Sequence, residues 1–240
     1  MDSRDAQPAP NALFPPRAWI PCTATAGTLA AGFAAMLLAA DGSFDLAVYV
    51  LLAGIFLDTL DGRLARWLNA TSPLGQQLDS FSDAMAFGMA PAFLVYIAVL
   101  RPLGLLGAAA SVLFVLAGVY RLARFNLLSD AHSKARRTLG VPIPIGAGYL
   151  MAVTLMRAEL APVAAWVVVV GMAALMVSRW RLPDLKGKGI VSAMLLVGLC
   201  NFIAVIAWPN WRTVAWWNLW NVAILMAARL EDRRDLVEVT

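Results

Sequence analysis

Long unbroken apolar runs constrain this chain more than any other feature. Eight can be read, at about 18–40, 45–67, 77–100, 103–126, 141–157, 161–179, 187–208 and 213–229. A bilayer-spanning helix needs about 20 mostly apolar residues, so most of these runs have the length to cross a membrane. The composition agrees: 61% of the 240 residues are hydrophobic, 14% are charged, and the mean hydropathy is +0.72. Soluble domains run nearer half apolar and a quarter charged. The expected fold is therefore all-α, a polytopic membrane protein of about eight transmembrane helices. No polar stretch is long enough for a separate soluble domain, so residues 18–229 read as a single transmembrane domain. It is flanked by a proline-rich cytoplasmic lead-in, 1–17, and a cytoplasmic tail, 230–240. The first run exceeds a typical signal-peptide core and follows acidic residues, so it reads as a retained helix.

The charges give an orientation. With the N-terminus inside and eight spans, only Arg101, Arg157 and Arg212 of the 19 lysines and arginines fall outside. That bias is the positive-inside pattern. It accounts for the net charge of +4 without nucleic acid as a partner. Basic residues Lys134, Arg136 and Arg137 sit in a loop, 129–140, that anchors to the inner surface and can attract anionic lipid. A single histidine, His132, excludes His-rich metal sites and Ser-His-Asp catalysis; Cys22 and Cys200 have no zinc or haem spacing. In the first run, Gly27, Thr28, Ala31 and Gly32 lie at four-residue spacing that allows a neighbouring helix to approach closely.

Against this background the stretch "DTLDGRLARWLNATSPLGQQLDSFSD", 58–83, is anomalous. Each aspartate near the membrane interior costs roughly 2.5–3.5 kcal/mol, so a compensating partner is expected. Asp58 and Asp61 are three apart and share a helix face, with Gly62, Ala65 and Arg66 following on it. Asp79 and Asp83 are four apart on the next helix, with Gly75 one turn before. Two helices thus present two carboxylates each, with small residues between them. Hard oxygen ligands of this kind suit Mg²⁺ or Mn²⁺, and Arg66 supplies a planar fork for phosphate. The combination predicts a divalent-metal site for a diphosphate. The structural alternative is a set of salt bridges from Asp58 or Asp61 to Arg63 or Arg66, but it leaves acids in excess.

Written as a pattern, the stretch is D-x2-D-G-x2-A-R-x8-G-x3-D-x3-D, which resembles the signature of the CDP-alcohol phosphotransferases at all eight fixed positions. Chance agreement is of order one in a billion at average residue usage. The resemblance implies a six-helix catalytic core, a homodimer, and an active site open to the cytoplasm of a cell (inner) membrane. It implies transfer of a substituted phosphate from a CDP-linked donor to an alcohol, releasing CMP. By motif position it places metal on Asp58, Asp61, Asp79 and Asp83, with Asp83 also the general base. Gly62, Arg66 and Ser72 would contact the CDP moiety, with Ala65 and Gly75 beside them. "PCTAT", 21–25, resembles the family's Pro-Asn-x-x-Thr; Cys22 replaces the asparagine, and Thr25 remains a donor contact.

Three further stretches resemble the phosphatidylserine synthases of that family: "LDSFSDAMAFGMAPAF" (78–93), "RLARFN" (121–126) and "GVPIPIG" (140–146). They imply CDP-diacylglycerol as donor and L-serine as acceptor. Arg121 and Arg124 can grip a carboxylate bidentately; Asn126 can meet the ammonium through its amide oxygen, or a carboxylate through its NH₂. Choline, glycerol 3-phosphate or an inositol phosphate remain alternative acceptors. A divalent-metal transporter is a different class, opposed by the confinement of the acids to two adjacent helices near one face.

Overall fold

A computed structural model describes residues 16–130, 138–179 and 181–182, with scattered positions between 200 and 226. Within them lie six helices: α1 (Trp19–Ala40), α2 (Phe44–Trp67), α3 (Pro73–Leu103), α4 (Leu105–Asp130), α5 (Ile143–Leu155) and α6 (Pro162–Val177). These match the first six apolar runs; α3 begins four residues before the expected start. One short antiparallel pairing, Thr138–Leu139 with Arg181–Leu182, joins the chain before α5 to the chain after α6. Apart from it the described structure is helical. Most of the seventh expected segment (187–208) and of the eighth (213–229), the lead-in up to residue 15, loop residues 131–137 and the tail 230–240 lie outside the described residues.

Three helices, Trp19–Ala40, Pro73–Leu103 and Leu105–Leu127, are long and apolar enough to cross a membrane. Their outward faces carry large apolar side chains such as Trp19, Phe33, Leu113 and Leu116, as a lipid-facing surface requires. Helix α2 has 24 residues, about 36 Å at 1.5 Å per residue, but its last turns hold Asp58 and Asp61. Helix α5, with 13 residues, is shorter than the roughly 17–25 residues of a typical span. It is apolar on every side and buried along most of its length, from Gly146 to Leu155 with Tyr149 half-buried, as a helix without a polar face must be.

Helix α3 belongs to both apolar cores. One gathers Phe87, Val95 and Leu100 of α3 with Phe114, Ile143, Leu150 and Met176. The other gathers Ala90 and Leu94 with Ala35, Val48, Leu51, Met151 and Trp217. The inward stripe of α1 is Pro21, Thr25, Thr28, Gly32, Ala35 and Ala39, nearly all small. A Cβ on Gly32 would meet the Ala86 Cα at 2.8 Å, and one on Gly27 would meet the Leu57 side chain at 3.0 Å. Thr28 Oγ1 also donates to the Gly54 carbonyl at 3.3 Å. The close approach expected from the small residues is thus observed, with α1 wedged against α2 and α3.

Immediately after Asp83, α3 widens into π-helical turns over Ala84–Met89. Pro91 follows and cannot donate to the carbonyl four residues back. The wider turn absorbs that lost bond, as π-bulges do. At the far end of the bundle, Arg157 clasps Asp45 through two bonds of 2.6 and 3.1 Å, tying the end of α5 to the start of α2.

Candidate active site

The eight residues between Arg66 and Gly75 form a tight reversal. Helix α2 ends in a Schellman motif: the Asn69 N–H donates to the Arg66 carbonyl and the Ala70 N–H to the Ala65 carbonyl. Asn69 takes φ +49°, a left-handed geometry that asparagine tolerates better than most residues. Helix α3 then starts at once, with Ser72 as N-cap accepting from the Gly75 N–H at 3.0 Å and Pro73 in its first turn. This short turn, with both helices packed on α1, brings the acids of α2 and α3 together.

Asp58, Asp61 and Asp79 each offer a carboxylate oxygen, and the three oxygens lie within 4.8 Å of one another. Asp83 stands behind them. Its carboxyl lies close to that of Asp58, and its buried Oδ1 has no hydrogen-bond partner. Carboxylates this close need a cation or a shared proton between them. None of the four is ion-paired to Arg63 or Arg66 among the described residues, so the salt-bridge alternative is not what the fold adopts. Three converging oxygens plus an orphaned fourth acid fit a hard divalent cation.

Helix α1 supports this cluster. Thr25 Oγ1 donates to Asp61 Oδ2 at 2.7 Å, and Asp61 is only 4% exposed. Ser82 Oγ donates to the Thr25 carbonyl at 3.1 Å, which locks α3 onto α1 beside Asp83. The hydroxyl of Thr25 is therefore turned to a carboxylate. Ser82 did not emerge from the sequence reading, although a serine among the acids of "LDSFSD" was a visible polar interruption of an apolar run.

A cavity of about 450 Å³ opens next to the acids. Asp61 and Asp79 form its acidic wall; Gly62, Ala65, Arg66, Ser72 and Gly75 line the rest of the α2–α3 turn, and Thr25 and Cys22 come from α1. The candidate donor-contacting positions are thus all on one cavity. Arg66 is exposed at its edge. The start of α3 also lines it through Ser72 and Gly75, and the positive end of the helix dipole there favours phosphate. A Cβ on Gly75 would sit 3.0 Å from Ser72 Oγ, so glycine keeps this cap compact.

The three candidate acceptor residues separate. Arg121 is 8% exposed; its Nε has no partner, its charge acts on Asp83, and its guanidinium lies over the Phe125 ring at 5.6 Å. Asn126 lines the cavity. Arg124 turns away to the end of α6, donating to the carbonyls of Met176, Val177 and Ser178 at 3.1–3.3 Å. There it caps the helix C-terminus. Gly140, at φ +72°, packs on the same joint, where a Cβ would run into the Met176 carbonyl and approach Arg124 Nη2 to 3.0 Å. Thus "RLARFN" and "GVPIPIG" meet in space, through Arg124 and Gly140.

Comparison with known proteins agrees with this geometry. Over 193 residues the chain is 34% identical to a CDP-diacylglycerol–serine O-phosphatidyltransferase of Helicobacter pylori, covering 80% of this chain and 72% of that one. It is 33% identical over 168 residues to the enzyme of the same name from Bacillus subtilis, covering 70% and 92%. It is 32% identical over 166 residues to an archaetidylserine synthase of Methanothermobacter thermautotrophicus, covering 68% of each. The model of the CDP-alcohol phosphatidyltransferase family matches residues 18–180, from the start of α1 to just past α6 and across every acid of the site, and the chain belongs to that family.

Proposed function

We propose that this protein transfers the phosphatidyl group of CDP-diacylglycerol to the hydroxyl of L-serine, giving phosphatidylserine and CMP. The carrying observation is the convergence of Asp58, Asp61 and Asp79 beside a cavity that Asp61 and Asp79 line, with Asp83 next to them. The names of the three relatives, each a serine-linked lipid synthase, support serine as acceptor.

In this reading Asp58, Asp61 and Asp79 hold Mg²⁺ or Mn²⁺, with Asp83 at the edge of the set. The metal, when bound, neutralises the diphosphate and makes its phosphorus more electrophilic. Gly62, Ala65 and Gly75 leave room for the CDP moiety, and Arg66 and the start of α3 receive its phosphates. Arg121 grips the serine carboxylate; its burial and unpartnered Nε beside Asp83 favour it over Arg124. Asp83 takes the proton from the serine hydroxyl as its oxygen forms a bond to the phosphatidyl phosphorus. The bond from that phosphorus to the CMP oxygen breaks, and CMP leaves with the electron pair. The proton on Asp83 then returns to solvent.

The reading also has eight spans, with both termini and the site at the cytoplasmic face of the cell membrane, and a homodimeric assembly. The domain runs over residues 18–229.

The test is CMP release by the purified protein in detergent with CDP-diacylglycerol and Mn²⁺ or Mg²⁺. Serine-dependent CMP, with labelled serine entering the lipid phase, is expected. CMP release driven by another alcohol overturns the acceptor, and none with any alcohol overturns the enzyme reading.

A further inference from the structure

One polar relay at the cavity wall has no part in the chemistry above. Ser80 sits on α3 between Asp79 and Asp83. Its hydroxyl donates to the Gln76 carbonyl one turn back, at 3.1 Å. A serine hydroxyl has a single proton, so its remaining capacity is to accept. Asn126 Nδ2, from α4, donates to it at 3.0 Å. That bond decides which edge of the amide faces which way. One N–H of the amide is held by Ser80, and the carbonyl oxygen, Oδ1, is an acceptor on a side chain that lines the cavity. An amide free to rotate would exchange its donor and acceptor ends; the bond to Ser80 fixes which end is which.

The acceptor substrate carries two charges of opposite sign. A buried guanidinium, Arg121, suits its carboxylate. An oriented carbonyl oxygen suits an ammonium, which has three donors and no acceptor. We infer that Ser80 is a positioning residue that, by holding the Asn126 amide with its oxygen toward the cavity, selects acceptors bearing an ammonium group. The inference rests on the reading of serine as acceptor, and adds to it the basis on which an amino acid is told from a simple hydroxy acid.

The experiment compares L-serine with 3-hydroxypropanoate, which is serine without its ammonium. CMP release gives kcat and KM for each in wild type, Ser80→Ala, Ser80→Thr and Asn126→Asp. In Ser80→Ala the preference for L-serine is expected to fall about tenfold, the weight of one oriented hydrogen bond to a charged group. The loss should sit mainly in the KM for L-serine, and the KM for CDP-diacylglycerol should stay within about twofold. Ser80→Thr, which keeps the hydroxyl, restores the preference. In Asn126→Asp both oxygens accept whichever way the group turns, so adding Ser80→Ala should cost nothing further. Should Ser80→Ala not fold, Asn126→Leu replaces it, with the same expected loss. An unchanged preference in a folded Ser80→Ala or Asn126→Leu enzyme that uses serine overturns the inference alone. Absence of serine-dependent CMP in the wild type overturns it together with the proposed function.

Discussion

Replacing Thr25 by valine tests whether α1 is part of the metal site or only packs beside it. Valine keeps the branched shape and removes the hydroxyl alone. The bond that disappears runs 2.7 Å from Thr25 Oγ1 to Asp61 Oδ2, and Asp61, at 4% exposure, has almost no water to replace it. Hydrogen bonds to charged groups contribute roughly 1.5–3 kcal/mol. The link from Ser82 Oγ to the Thr25 backbone carbonyl survives the change, so the helix contact is preserved. What is lost is the orientation of Asp61: both its oxygens are then free to turn from Asp58 and Asp79. Partners of metal ligands typically carry 10–100-fold in affinity or activity, and 1.5–3 kcal/mol corresponds to about 10- to 150-fold. The half-saturating Mn²⁺ concentration for CMP release should therefore rise by about one to two orders of magnitude. Thr25→Ser should stay near wild type. A Thr25→Val enzyme with wild-type Mn²⁺ dependence would refute the coupling and return Thr25 to a packing role.

Three other outcomes follow from the same geometry. Asp83→Asn should lower turnover about 10²- to 10⁴-fold, the usual weight of a general base, while far-UV circular dichroism stays helical; near-normal turnover would remove Asp83 from the base role. Gly32→Val places a side chain against the Ala86 backbone, where even a Cβ would stand at 2.8 Å. Overpacking of this kind costs about 1–3 kcal/mol, so the thermal midpoint in detergent should fall clearly. Arg157→Gln breaks the part-exposed clasp to Asp45 at the far end of the bundle. It should cost no more than about 1 kcal/mol and leave the KM for L-serine unaltered.

Much of this protein is legible in one dimension because bilayer helices are local objects. A run of apolar residues must satisfy its backbone within itself, so the six described helices fall where hydropathy puts them. The acids announce themselves for the same reason: uncompensated charge is costly there, and the 3- and 4-residue spacings put each pair on one face without knowledge of the partner helix. What hydropathy does not carry is how the helices meet. That α5 is the buried centre and not a lipid-facing span depends on four neighbours that surround it. That Thr25 serves Asp61, 36 residues away, and Ser82 the backbone of α1, depends on small residues letting α1 sink between α2 and α3. The arginines make the point most sharply. Arg121 and Arg124 are three apart and look equivalent along the helix, yet one is buried beside Asp83 and the other caps α6 against Gly140. Spacing along one helix gives direction only; which neighbour lies in that direction is settled by packing, and packing divides two like charges into one buried beside Asp83 and one that holds the frame.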